Sequence, residues 1–86
     1  MDELYKGRYI HAAAELNLTV DCWIPIADIS WYEQDNPCNH RLVGPTDLFK
    51  VIEDSHSHAV EMAKAWIDVQ TMRNSKVVND VSLAVL

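Results

Sequence analysis

The chain has 86 residues, of which 49% are hydrophobic and 23% are charged, the ordinary composition of a small globular protein. Its formal net charge of −6 repels phosphate backbones and anionic lipid headgroups, so we expect no direct nucleic-acid binding and no membrane association. No apolar run approaches the ~20 residues of a membrane span, and no basic start precedes an apolar stretch as in a secretory signal. We therefore expect one domain, residues 1–86, of a soluble, cytoplasmic protein.

The two cysteines, Cys22 and Cys38, allow one disulfide at most, whereas small secreted scaffolds usually carry several. Cys22 continues an apolar pattern, which predicts a buried free thiol that behaves as a small hydrophobic residue. Cystine bridges are therefore not expected to hold this fold together.

The first third of the chain shows a strict alternation of residue types. Every even position is apolar from residue 10 to residue 26: Ile10, Ala12, Ala14, Leu16, Leu18, Val20, Cys22, Ile24 and Ile26. A period of two over this length predicts one long strand with a buried side and a solvent-facing side. A helix over residues 2–16 is the competing interpretation because residues 12–14 are alanines. Gly7 argues against that helix, at a cost of about 1 kcal/mol relative to Ala.

Residues 27–45 contain strong turn signals, because Asn36 precedes Pro37 and Gly44 precedes Pro45. Residues 29–33 either prolong the first strand or pair with it, and residues 41–43 are expected to form a short extended piece. Without these pieces the connection would be 19 residues long, a length more typical of functional loops.

The segment from residue 47 to residue 72 has two interpretations. We prefer a strand over residues 48–53, followed by a helix that Ser55 or Ser57 caps. The alternative is a single helix that Thr46 caps and that runs to about Met72. In both, a helical apolar stripe includes Ala59, Val60, Ala63, Trp66 and Ile67.

The end of the chain alternates again, with apolar residues at odd positions 77, 81, 83 and 85, and this predicts a terminal strand over residues 77–86. The fold class that follows is α+β: a small antiparallel or mixed sheet of about three strands with one helix packed on one face, in the order β-β-α-β.

The histidines and Cys38 are candidates for metal binding and for catalysis. A zinc site of Cys38, His40, His56 and His58 has suitable donors, but one residue between the donors of each pair is fewer than structural zinc pairs usually have. Cys38, His40 and Asp35 are the only local nucleophile, base and acid, and no oxyanion-forming turn accompanies them. We therefore expect no metal, no cofactor and no enzymatic activity, with the zinc protein kept as the alternative.

The acidic residues suggest protein binding. Between Arg8 and Arg41 there is no Lys or Arg, and the five acids of that interval give a local charge of −5: Glu15, Asp21, Asp28, Glu33 and Asp35. Such a surface attracts a protein partner with a basic surface, by forces that salt weakens. The alternative is that these acids only solubilise the solvent-facing side of a sheet.

Aromatic residues lie among these acids. Trp31 and Tyr32 match the composition of an interface anchor with a polar rim, although Trp31 could instead pack in the core. Trp23 falls on the solvent-facing side of the predicted strand, where a partner or a second copy would have to cover it. The predicted partner-binding residues are Asp21, Trp23, Asp28, Trp31, Tyr32, Glu33 and Asp35.

The predicted function is that of a non-catalytic, acidic protein-binding module, an inhibitor or an adaptor that occupies a basic surface of its partner. Small acidic phage and mobile-element inhibitors, such as anti-CRISPR proteins, resemble the chain in size and charge. A homo-oligomer is compatible with this function. The first six residues, MDELYK, resemble the end of green fluorescent protein, so residues 1–7 are expected to be disordered or foreign to the domain.

Overall fold

The fold is a meander of four antiparallel strands with one helix packed on one face. A computed structural model of the protein describes the backbone of residues 2–85 and the side chains of residues 2–72. Its elements are β1 (Asp2–Tyr5), β2 (Arg8–Asn17), β3 (Cys22–Glu33), β4 (Asn36–Val43) and α1 (Ile52–Val85), and each strand pairs with the next. The predicted α+β class is confirmed. Three strands in the order β-β-α-β is wrong, because the order is β-β-β-β-α.

The connections β1–β2 and β3–β4 are two-residue turns with left-handed backbone. Lys6 and Gly7 have φ angles of 50° and 77°, and Gln34 and Asp35 have φ angles of 51° and 66°. Positive φ at both central residues defines the type I′ turn, whose twist matches that of the flanking strands. The second turn was not predicted because neither of its residues is Gly or Asn.

Two substitutions in the β3–β4 turn are expected to stabilise the protein. Gln34→Asn together with Asp35→Gly installs the pair that type I′ turns prefer, and should raise the free energy of unfolding by about 1 kcal/mol by removing left-handed strain. Urea denaturation measures the change. Asn36→Gly, one residue later and already in β4, is the control, and should lower stability by about 0.5–1 kcal/mol. Equal effects of the two variants would contradict this explanation.

The predicted long strand over residues 10–26 is in fact two strands joined by a turn at residues 18–21. The Asn17 side chain accepts a hydrogen bond from the Thr19 backbone N–H at 3.2 Å, and its carbonyl accepts one from the Asp21 N–H at 2.8 Å. Asp21 adopts a φ of 57°, which closes the turn without glycine. In β2 the even-numbered residues face α1. After this turn the alternation is shifted by one position, so in β3 the odd-numbered residues face α1.

The segment between β4 and α1 is a loop, so the predicted strand over residues 48–53 is wrong. Its one ladder contact is an isolated bridge between Trp23 and Phe49. The helix begins at Ile52, earlier than the predicted Ser55 or Ser57 caps. Ser55 is fully buried within the first turns and donates its hydroxyl to the Trp23 carbonyl at 3.3 Å.

The predicted terminal strand over residues 77–86 is also wrong, because α1 continues to Val85. Leu86 lies outside the described residues. The competing helix over residues 2–16 is replaced by β1 and β2.

The core lies between α1 and the two central strands. The predicted helical stripe is confirmed at four buried positions, Ala59, Val60, Ala63 and Ile67, which pack against Ile10, Ala12, Ala27 and Ile29. Half of these eight residues are alanines, whose small side chains let the helix approach the sheet closely. Cys22 is buried as a free thiol, as predicted.

The first residues form an edge strand that is tied to α1. The Tyr5 hydroxyl donates to Asp68 at 2.9 Å, and the Lys6 ammonium lies 2.6 Å from the same carboxylate. Lys64 forms an ion pair with Glu3 at 2.7 Å. Hydrogen bonds from Lys6 and Tyr5 lower the pKa of Asp68. Residues 2–5, which were expected to be disordered or foreign, therefore form the edge strand of the sheet, and residues 6–7 form its first turn.

Candidate functional site

The structure distributes the seven predicted partner-binding residues over both ends and both faces of the sheet. Asp21 precedes β3 and Asp35 follows it, and a 12-residue strand spans about 36–40 Å. Only Tyr32, Glu33 and Asp35 remain together, all exposed at the β3–β4 turn. One continuous surface therefore cannot contain all seven residues.

Trp23 and Trp31 face α1, because both are at odd positions of β3. Trp23 is half-buried, and its backbone N–H donates to the Phe49 carbonyl at 2.7 Å. The prediction that Trp23 faces solvent is wrong, because the turn at residues 18–21 changes the phase of the alternation. Trp31 packs against the core, with its ring centre 5.7 Å from that of Trp66.

A cation and a histidine complete the packing around these rings. The Arg8 guanidinium lies 4.4 Å from the centre of the Trp31 ring, and His40 stacks on Trp66 at 4.5 Å with an interplanar angle of 9°. This arrangement is typical of cation–π and stacking contacts that close a small core at its edge. Trp31 is thus part of the packing between sheet and helix.

Asp28 lies on the face of the sheet opposite α1, where its charge is compensated. Arg41, its register partner on β4, donates from Nε at 2.7 Å and from Nη2 at 3.1 Å to the two carboxylate oxygens. The hydrogen bond to Asp28 raises the pKa of Arg41. Asp28 is therefore not one of the free acids that the sequence suggested.

A second set of residues, which the sequence analysis did not select, lies at the opposite end from Tyr32. The turn at residues 18–21 and the loop before α1 expose large apolar side chains next to carboxylates. We call this surface the acidic apolar end; its apolar members are Leu16, Leu18, Val20, Leu48 and Val51, and its acids are Asp21, Asp47, Glu53 and Asp54. Leu18 is 84% exposed and Leu48 is 61% exposed.

Hydrogen bonds hold the two segments of the acidic apolar end beside each other. The Asn17 side-chain amide donates to the Thr46 carbonyl at 3.1 Å, and the Lys50 ammonium donates to the Val20 carbonyl at 2.9 Å. The Trp23–Phe49 bridge fixes the same loop to β3. The backbone segments that carry the exposed leucines are therefore held in a fixed position.

The apolar residues of this surface are visible in the sequence, but the prediction of one long strand assigned two of them to the buried side. Within an unbroken strand, Leu18 and Val20 would belong to the buried side. Once Asn17 is seen to initiate a turn, both become apolar residues in a loop, where exposure requires an explanation. Leu48 was likewise assigned to a strand that does not form.

The four donors of the alternative zinc site do not converge. His40 stacks on Trp66, whereas His58 lies 4.9 Å from the Phe49 ring. His58 and Trp66 are eight positions apart along α1, or about 12 Å of helix. Within residues 2–72, no group of three or more His, Cys, Asp and Glu side chains could hold a metal ion.

In the part of the chain that the structure describes, no helix has the length and apolar character needed to cross a membrane.

The chain matches no protein-family model, no curated protein and no solved structure.

Proposed function

We propose that the protein is a non-catalytic binding module that inserts its acidic apolar end into a hollow on a protein partner whose rim is basic. The observation that carries this proposal is the exposure of Leu18 and Leu48 on two loops that are hydrogen-bonded to each other. Side chains of this size lose their contact with water only when a partner covers them, which makes them natural anchors.

The charge around these anchors supports a basic rim on the partner. Four carboxylates and one ammonium, Lys50, give the acidic apolar end a net charge of −3. The helix contributes Glu53 and Asp54 in its first turn. Long-range attraction of this kind speeds association and selects partners, while buried apolar contacts supply affinity. An inhibitor or an adaptor would both use such a surface.

The first experiment tests the apolar anchors. The partner is captured from a lysate on the immobilised wild-type protein, identified by mass spectrometry and purified for measurement of Kd. Leu18→Ala with Leu48→Ala should weaken binding at least tenfold, because anchor residues contribute about 2 kcal/mol or more. The matched control is Val69→Ala with Met72→Ala, two exposed apolar side chains of α1. Equal Kd values for the two double variants would contradict the proposal.

The second experiment locates the electrostatic contribution. Asp47→Lys with Glu53→Lys reverses two charges at the acidic apolar end, and Glu33→Lys with Asp35→Lys makes the same net change at the β3–β4 turn. The association rate should fall much further for the first pair, and wild-type association should slow between about 0.05 M and 0.5 M salt. A larger loss for the second pair would place the site at Tyr32, Glu33 and Asp35 instead.

A further inference from the structure

The face of the sheet opposite α1, which we call the open face, is not covered by any element within the described residues. Side chains alternate along each strand, so residues one position away from Ile10, Ala12, Ala27 and Ile29 point to this face. It mixes exposed apolar residues, such as Tyr9 and Leu4, with charged residues, most of which lie in one row. The positions of these charges indicate which kind of partner fits this face.

Four of the charged side chains of the open face form a row across the four strands, and a fifth, Glu15, lies beside Ile24 in the register. The register aligns Asp2 with His11, His11 with Asp28, and Asp28 with Arg41, one residue from each strand. His11 is hydrogen-bonded to Asp2, which lowers the pKa of Asp2. The row therefore has a direction, from a carboxylate at the β1 edge to a guanidinium at the β4 edge.

Such a row in one copy can face the same row in a second copy with opposite charges aligned, but only for one orientation of the two-fold axis. When two identical faces meet, the two-fold axis lies in the plane between them. An axis parallel to the strands, between β2 and β3, places Asp2 opposite Arg41 of the second copy and His11 opposite Asp28 of the second copy. An axis across the strands would place each charge opposite its own copy. Charge complementarity therefore selects the first arrangement.

The uncharged rows on either side fit the same arrangement by size. The register aligns Leu4, Tyr9, Ser30 and Asn39 in one row, and Ala13 and Ile26 in another. Exchanging β1 with β4 and β2 with β3 places Tyr9, which is 58% exposed, opposite Ser30 of the second copy. A large side chain then faces a small one, as in packed layers. Ala13 lies opposite Ile26 of the second copy, which is only 8% exposed, so this pair adds little contact.

The area of the open face is sufficient for a reversible dimer. The four strands lie side by side and contain 4, 10, 12 and 8 residues. Spacings of about 3.4 Å along a strand and 4.8 Å between strands give about 550 Å² in projection for each copy. The total area buried by two such faces is close to about 1,200 Å², the lower limit for stable specific interfaces. This area corresponds to a weak dimer.

We propose that the open face binds a second copy of this chain, in a dimer whose two-fold axis runs parallel to the strands. Because that axis preserves the strand direction, both acidic apolar ends lie at the same end of the dimer. The dimer does not depend on the function proposed above, since it uses the open face and not the acidic apolar end.

A charge-exchange experiment tests the arrangement. Asp2→Lys places two lysines opposite the two Arg41 side chains, and Arg41→Asp places two aspartates opposite the two Asp2 side chains. Each variant alone should dimerise at least tenfold more weakly than the wild type in sedimentation equilibrium at several hundred micromolar protein. An equimolar mixture should recover a heterodimer, whose mass native mass spectrometry distinguishes from both homodimers. A monomeric wild type, or a mixture that does not associate, would refute the proposal.

A second pair of variants protects the test against misfolding. Tyr9→Glu changes a side chain that is 58% exposed and should abolish the dimer while leaving the circular dichroism spectrum unchanged. Met72→Glu makes the same kind of change on α1 and should leave the dimer intact. Loss of the dimer with Met72→Glu alone would assign the interface to the helix and overturn the proposal.

Discussion

Replacing Ile29 by Ala is expected to lower the free energy of unfolding by about 2–5 kcal/mol, the range for truncating a large aliphatic side chain in a core. Ile29 is fully buried in β3, between its register partners Ile10 and His40, and belongs to the cluster that packs against α1. The small domain can close such a cavity only by moving the helix. The loss is a large share of the about 5–15 kcal/mol by which proteins of this kind are stable.

Urea denaturation followed by circular dichroism measures this effect. Ile29→Val removes one methylene group and should cost only about 0.5–1.5 kcal/mol. Leu4→Ala, on the exposed open face of β1, should change stability by less than either. An Ile29→Ala variant as stable as Leu4→Ala would mean that the sheet–helix layer is not the core of the protein.

Gly44→Ala is the second substitution with a large expected effect, because the strand β4 ends in a tight contact. A Cβ atom at Gly44 would lie 2.6 Å from the Cγ of Pro25 and 3.1 Å from the Sδ of Met62. Met62 is flexible, but the Pro25 ring is rigid and fully buried, and the Gly44 N–H bonds its carbonyl at 2.9 Å. We expect a loss of about 1–3 kcal/mol, the usual cost of overpacking.

A double-mutant cycle separates this clash from other effects of the substitution. Pro25→Ala removes the Cγ atom, so Gly44→Ala should cost much less in that background than in the wild type. The difference between the two costs is the coupling energy, and it should exceed about 0.5 kcal/mol in residues that touch. Additive costs would show that the contact with Pro25 is not the cause.

The parts of the fold that follow from periodicity could be predicted, and those that depend on a single side-chain hydrogen bond could not. The stripe of α1 and the buried positions of β2 repeat over several turns or pleats, so their pattern survives an error of a few residues. The turn at residues 18–21 depends on Asn17 alone and lies within an alternation that continues through it. The start of α1 is fixed partly by the contact of Ser55 with Trp23, which lies 32 positions earlier in the chain.

The acidic apolar end is acidic like the site predicted from the sequence, but its anchors are aliphatic instead of aromatic and it lies elsewhere in the fold. Acidic residues and large apolar side chains do occur together on the surface. The phase change at the turn moves Trp23 and Trp31 towards α1, and the β3–β4 register gives Asp28 a partner. Both effects depend on where a strand ends, which composition and spacing leave open. The exposed leucines could be recognised only after that turn was placed.

The order of elements along the chain has a consequence for synthesis on the ribosome. All four strands precede α1, and hairpins form within microseconds, whereas translation adds about 5–20 residues per second. The stretch between Val43 and Ile67 therefore takes about one to five seconds to synthesise at that rate. During this interval Ile10 and Ile29 have no helix to cover them, so the nascent sheet presents an apolar side to chaperones and to neighbouring chains.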